Sequence, residues 1–119
     1  MKRTVLYIDD EEANLRTFRS AFRREYTIMT ALNGKEALKI LETENPDVLI
    51  TDQRMPEMSG VELLKQLCEL YPFSKISRVM LSGNAEAADI NEAKEKYMLK
   101  CFLPKPCGHD VLKQIIDSV

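Results

Sequence analysis

Three aspartates, a serine and a lysine stand out in this sequence because each follows directly on a short apolar run. Val5-Leu6-Tyr7-Ile8 leads into Asp9-Asp10, Val48-Leu49-Ile50-Thr51 into Asp52, Val79-Met80-Leu81 into Ser82, and Phe102-Leu103-Pro104 into Lys105. Brought together, three carboxylates repel and raise one another's pKa values. A hard divalent cation relieves that repulsion. Magnesium takes oxygen ligands and keeps several waters, so two carboxylates and a backbone carbonyl hold it and leave a position for a phosphoryl oxygen. Lys105 adds a compact positive charge on a flexible stem, suited to a phosphate oxygen, and Ser82 adds a hydroxyl donor. The chemistry of this set is phosphoryl handling with Mg2+ as cofactor.

The elements that must position these groups are legible in the hydrophobic pattern. Apolar runs of four to six residues separated by helical segments read as buried parallel strands, here over residues 4–8, 26–31, 48–51, 78–81 and 101–104. Between them, Leu15, Phe18 and Phe22 recur at helical spacing and predict a helix over 12–24. Asn33-Gly34 opens a second helix that runs to about residue 44 and buries Ala37, Leu38 and Leu41, before Asn45-Pro46 ends it. Ser59 caps a third, carrying Leu63, Leu64, Leu67 and Leu70. A weakly amphipathic, alanine-rich helix follows over 86–96, and a last one starts near His109 and buries Leu112, Ile115, Ile116 and Val119. The order is strand then helix, five times. It predicts an α/β fold, a doubly wound (βα)5 flavodoxin-like three-layer sandwich on a five-stranded parallel sheet in order 2-1-3-4-5. In such sheets ligands bind outside the carboxyl ends of the strands, and the first and third strands are neighbours. Asp9, Asp10 and Asp52 then meet at one edge, with Ser82 and Lys105 beside them.

Composition narrows the function classes. The chain of 119 residues is 45% hydrophobic and reads as one domain, 1–119, with a core of its own. Its formal net charge of −2 argues against direct nucleic-acid binding, which needs clustered positive charge. Cys68, Cys101 and Cys107 form no CxxC pair and are odd in number, as expected of reduced thiols in a cytoplasmic protein. The basic start Met1-Lys2-Arg3 precedes an apolar run too short for a signal peptide or a membrane span.

Ile8-Asp9-Asp10-Glu11, Thr51-Asp52-Gln53-Arg54-Met55-Pro56, Ser59-Gly60, Leu81-Ser82-Gly83 and Lys105-Pro106 occur in that order across nearly the whole chain. In this the sequence resembles the receiver domains of bacterial two-component response regulators. The resemblance implies that Asp52 is the phosphoacceptor, served by a histidine kinase or a histidine phosphotransfer protein. It implies that Asp10 binds Mg2+ directly, Asp9 through water, and that Asp52 and the backbone carbonyl of Arg54 complete the ligands. It makes Ser82 the switch hydroxyl, Phe102 its aromatic partner, Lys105 the phosphate contact and Lys105-Pro106 a cis bond. It also implies a downstream effector domain or protein, with output and a possible dimer through the fourth helix, fifth strand and fifth helix. Three departures from the family pattern are a serine for the commoner threonine at 82, a phenylalanine for the frequent tyrosine at 102, and the absence of a Gly-Ala pair in residues 95–101.

Other readings compete residue by residue. Asp9-Asp10-Glu11-Glu12 also suits a helix N-terminus. Arg16, Arg19 and Arg23 share a helix face, either a solvated surface or a patch for an acidic partner, and His109 is either a surface residue or a phosphodonor. A magnesium-dependent phosphatase with an aspartyl nucleophile places a second acid two residues on, where this chain has Arg54. A receiver-like module that is never phosphorylated has no need of Asp52, Ser82 and Lys105 together.

Overall fold

Each strand alternates its side chains between two helical layers. The computed structural model describes residues 2–119. Its elements in order are β1 (Thr4–Ile8), α1 (Glu12–Phe22), β2 (Thr27–Ala31), α2 (Gly34–Leu41), β3 (Val48–Thr51), α3 (Gly60–Leu70), β4 (Ser77–Ser82), α4 (Ala87–Lys96), β5 (Leu99–Pro104) and α5 (His109–Ser118). The strands form one parallel sheet in the predicted order β2-β1-β3-β4-β5.

Leu6, Ile8, Leu49 and Met80 face one layer, where Ala37, Leu41, Leu63, Leu64, Leu67 and Ala93 cover them. Val5, Tyr7, Val48, Ile50, Val79 and Leu81 face the other, against Leu15, Phe18 and Phe22 of α1 and Leu112 and Ile116 of α5. This two-sided burial is why the strands read as continuous apolar runs.

Local chemistry sets the helix starts that matter for the site. The Asn33 side chain accepts from the Glu36 N–H, and Ser59 and Glu62 form a reciprocal capping box at α3. Several ends differ from the expected ones. α1 stops at Phe22, two residues early, with Arg23 as its C-cap. β2 starts at Thr27, leaving Tyr26 as a core residue before the strand. α2 stops at Leu41, where the Glu42 and Thr43 amides tighten to i→i−3 bonds with the Lys39 and Ile40 carbonyls.

β5 starts at Leu99 instead of 101, because a register shift against Arg78 and Val79 admits Lys100 as an extra residue. Met98, just before it, has φ 63°, the left-handed turn that a glycine takes without strain. Ile115 and Val119 are only partly buried, and Leu70 is 58% exposed at the last turn of α3, beyond the edge of the sheet's cover.

Candidate functional site

The carboxyl ends of β1, β3 and β5 meet as predicted. Register pairs Ile8 with Thr51, so Asp9 and Asp52 leave adjacent strands side by side. One carboxylate oxygen from each of Asp9, Asp10 and Asp52 lies within 4.8 Å of the others. Lys105, just past β5, reaches across β4 to close the set. Its Nζ donates to Asp9 Oδ2 at 2.7 Å and to Asp52 Oδ2 at 3.0 Å. The Lys105 backbone N–H donates to the Ser82 carbonyl at 3.1 Å, and Lys105-Pro106 is cis.

The three carboxylates are not equivalent. Asp9 is fully buried and its oxygens are taken. Oδ1 accepts from the Glu11 N–H at 3.0 Å; Oδ2 accepts from Tyr7 Oη and Asn14 Nδ2, both at 3.0 Å, besides Lys105. Asp10 is exposed. Asp52 is 9% exposed, with Oδ1 held by the Gln53 N–H at 2.6 Å and Oδ2 by Lys105. Hard oxygen donors, one of them open to water, suit a divalent cation such as magnesium. Asp9, already saturated by donors, is suited to contact that cation through water.

The electrostatics follow from this packing. Burial works against the charge of Asp9. The hydrogen bonds from Lys105, the Glu11 N–H and Asn14, with the lysine's charge, outweigh it and hold the carboxyl below its ordinary value of 3.8. Burial likewise disfavours the Lys105 ammonium, but Asp9 and Asp52 raise its pKa above 10.5. Burial, then the Asp9 charge, push the Tyr7 phenol far up, so it remains a hydrogen-bond donor.

Ser82 is buried, and its Oγ makes only long bonds within its own loop, accepting from the Asn84 N–H at 3.3 Å and donating to the Asn84 carbonyl at 3.4 Å. Arg54 lies exposed two residues past Asp52. Phe102 is half-buried on β5, opposite Met80 and packed toward the α3 layer. Gly60 begins α3 so close to the carboxyl end of β3 that a Cβ there would overlap the Asp52 carbonyl oxygen.

Three side chains that the sequence reading passed over belong to the site. Tyr7 stands two residues before Asp9 on the same face of β1, a spacing that marks it as a neighbour. Asn14 lies on the first turn of α1 and Gln53 follows Asp52, and neither carries a sequence signal. Among the other charged residues, Arg16 pairs with Glu12 along α1, and Arg19 donates to the Ile28 carbonyl and to Thr30. His109 stacks flat on Phe22 at 4.4 Å. The three cysteines are unpaired and partly buried.

Among the described residues no helix is long and apolar enough to cross a membrane. A family model described as the response regulator receiver domain matches residues 5–117. The chain is 36% identical to the hydrogenase transcriptional regulatory protein HoxA of Cupriavidus necator over 97% of its own length and 24% of that protein's. It is 33% identical to the alkaline phosphatase synthesis transcriptional regulatory protein PhoP of Bacillus subtilis, covering 88% of this chain and 45% of that one. The chain thus spans from a quarter to under a half of these relatives. The structure of the chemotaxis protein CheY4 of Vibrio cholerae superimposes with a TM-score of 0.90 at 25% identity, over 100% of this chain and 99% of that one. With strand order, acidic edge and bridging lysine all in place, the chain belongs to the receiver domains of two-component response regulators.

Proposed function

We propose that Asp52 accepts a phosphoryl group from a histidine kinase or a histidine phosphotransfer protein and that the acyl phosphate sets a conformational switch. The observation that carries this is the Lys105 bridge. Its ammonium touches two carboxylates, and of these only Asp52 keeps contact with solvent: its side chain is 13% exposed, that of Asp9 is 0%. An in-line donor therefore reaches Asp52. In the transfer an Asp52 carboxylate oxygen bonds to phosphorus, the phosphorus–nitrogen bond of the donor's phosphohistidine breaks, and the imidazole leaves with the electron pair. Lys105 offers its charge to the phosphoryl oxygens, and Ser82 Oγ exchanges its long loop bonds for one of them. Asp10, Asp52 and the Arg54 carbonyl would hold magnesium, with Asp9 contributing through a water, and the cation would supply charge neutralisation for the transfer.

The chain acts as a phosphoacceptor that catalyses only its own phosphorylation and slow hydrolysis. Ser82 drawn toward the phosphoryl group and Phe102, half-buried on the next strand, are the switch pair. Output, and any dimer, pass through the α4, β5 and α5 face to an effector domain or protein. The setting is cytoplasmic, where kinase and acetyl phosphate are both found.

The test is acetyl phosphate with magnesium, followed by peptide mapping. Label is expected on Asp52 and on no other residue, and lost in Asp52→Asn. Label that persists in Asp52→Asn overturns the assignment.

A further inference from the structure

Two polar contacts hold the ends of α4, and one of them starts at the residue after Asp52. α4 fully buries a single side chain, Ala93, with Ile90 and Tyr97 only partly buried beside it, so apolar packing places it less firmly than the other helices. At its C-terminal end, buried Arg78 of β4 donates to the Tyr97 carbonyl at 3.4 Å, and also to the Ser74 carbonyl in the loop before β4. At its first turn, Asp89 Oδ2 accepts from Gln53 Nε2 at 3.3 Å. Gln53 is 6% exposed and makes no contact with solvent comparable to Asp10. Its other amide atom is committed: Oε1 accepts from the Val61 N–H at 2.9 Å, and its backbone carbonyl accepts from the Gly60 N–H at 2.9 Å. A backbone N–H can only donate and a carboxylate can only accept, so these two partners fix the orientation of the amide. The Gln53 backbone N–H in turn donates to Asp52 Oδ1 at 2.6 Å.

We propose that Gln53 is a positioning residue that transmits the state of Asp52 to the first turn of α4 through Asp89, with Arg78 as the fixed pivot at the far end. The proposal rests on Asp52 as phosphoacceptor. The residue is held on three sides, by Asp52, by the start of α3 and by Asp89. Of these, the bond to Asp89 is the longest and the only one made to the sparsely packed helix. A change of charge at the Asp52 oxygens therefore shifts a clamped residue whose one yielding partner is α4.

Gln53→Glu separates the roles. It retains an acceptor for the Val61 N–H and sets a second carboxylate against Asp89. Asp89→Asn in that background restores a donor. In the unphosphorylated protein, the Ile90 amide, which bonds to the Glu86 carbonyl in the first turn of α4, is expected to exchange roughly fivefold faster in Gln53→Glu, the scale of one lost hydrogen bond. It is expected to return to within about twofold of the parent in Gln53→Glu/Asp89→Asn, with the Leu63 and Leu64 amides of α3 unchanged throughout. After acetyl phosphate and magnesium, at equal Asp52 occupancy read from intact mass, the parent should show a phosphorylation-dependent change at Ile90 that Gln53→Glu lacks. Unaltered exchange in Gln53→Glu, no restoration in the double variant, or an intact phosphorylation response in Gln53→Glu each overturns the proposal. If the parent takes no label on Asp52, the phosphoacceptor reading falls instead, while exchange in the unphosphorylated variants still decides the Gln53–Asp89 tie.

Discussion

Lys105→Met tests the electrostatic core of the site, since it keeps the stem of the side chain and removes its charge. The ammonium lies 2.7 Å from Asp9 Oδ2 and 3.0 Å from Asp52 Oδ2. At an effective dielectric of about 20 each attraction is about 6 kcal/mol before desolvation. Taking the ammonium and two carboxylates partly out of water costs several kcal/mol per ion, and the lysine is still 25% exposed and hydrated. Its removal leaves Asp9 buried, with Tyr7, Asn14 and the Glu11 N–H as its remaining donors. We therefore expect a loss of about 2–4 kcal/mol at pH 7 in chelator, short of unfolding a domain of ordinary stability.

The pH dependence carries the sharper signature. In the parent the folded pKa of Asp9 lies below 3.8, so its contribution is complete above that value and disappears as pH falls through the folded pKa. Lys105 has its folded pKa above 10.5, so its contribution is complete below that value and disappears as pH rises through the folded pKa. The gap between parent and variant should thus be full at neutral pH and narrow on acidification below about 4. Magnesium should also narrow it, because loss of the neighbouring ammonium lets the carboxylates of the variant bind the cation more tightly, and each tenfold gain in affinity over the parent recovers about 1.4 kcal/mol at saturating cation. Urea unfolding at several pH values, with chelator and with magnesium, measures all three. A variant within about 0.5 kcal/mol of the parent at pH 7 in chelator, or a gap that does not narrow in acid, refutes the reasoning.

Asp10→Ala should weaken magnesium binding more than Asp9→Ala and, because Asp10 is exposed, leave stability within about 0.5 kcal/mol of the parent. Metal titration and urea unfolding read the two effects, and equal losses of affinity at the two positions contradict the ligand assignment. Arg54 and Asn84, both exposed beside the site, should set the lifetime of the phosphoryl group. Half-lives of Arg54→Ala and Asn84→Ala that both stay within twofold of the parent, about 0.4 kcal/mol in barrier, remove them from that role. Met98→Gly should relieve the left-handed backbone at φ 63° and stabilise the domain by about 0.5–1 kcal/mol in thermal or urea unfolding; a loss of stability there means that the Met98 side chain contributes more than its backbone costs.

The fold and the ring of charged residues were legible in the sequence because both rest on local patterns. Runs such as Val48–Thr51 are apolar on both faces, so they announce a buried parallel strand without help from distant residues. A strand that ends in a polar residue puts that residue at the sheet's carboxyl edge whatever the rest of the chain does, which is why the pattern already brings Asp9, Asp52, Ser82 and Lys105 to one edge. The capping box of Ser59 and Glu62 is equally local.

What the sequence left open needed the third dimension. Two adjacent aspartates look alike in a sequence, and only packing makes Asp9 a saturated, buried carboxylate and Asp10 an exposed one. The early start of β5 depends on a register shift against β4, a long-range pairing that carries no local signal. Gln53 gains its place only because α3 and α4, which start eight and thirty-five residues after Asp52, bring Val61 and Asp89 to opposite sides of one amide. Periodicity is a property of neighbours in the chain, so it specifies elements. The state of each group depends on neighbours in space, which only sheet and helices packed together assemble.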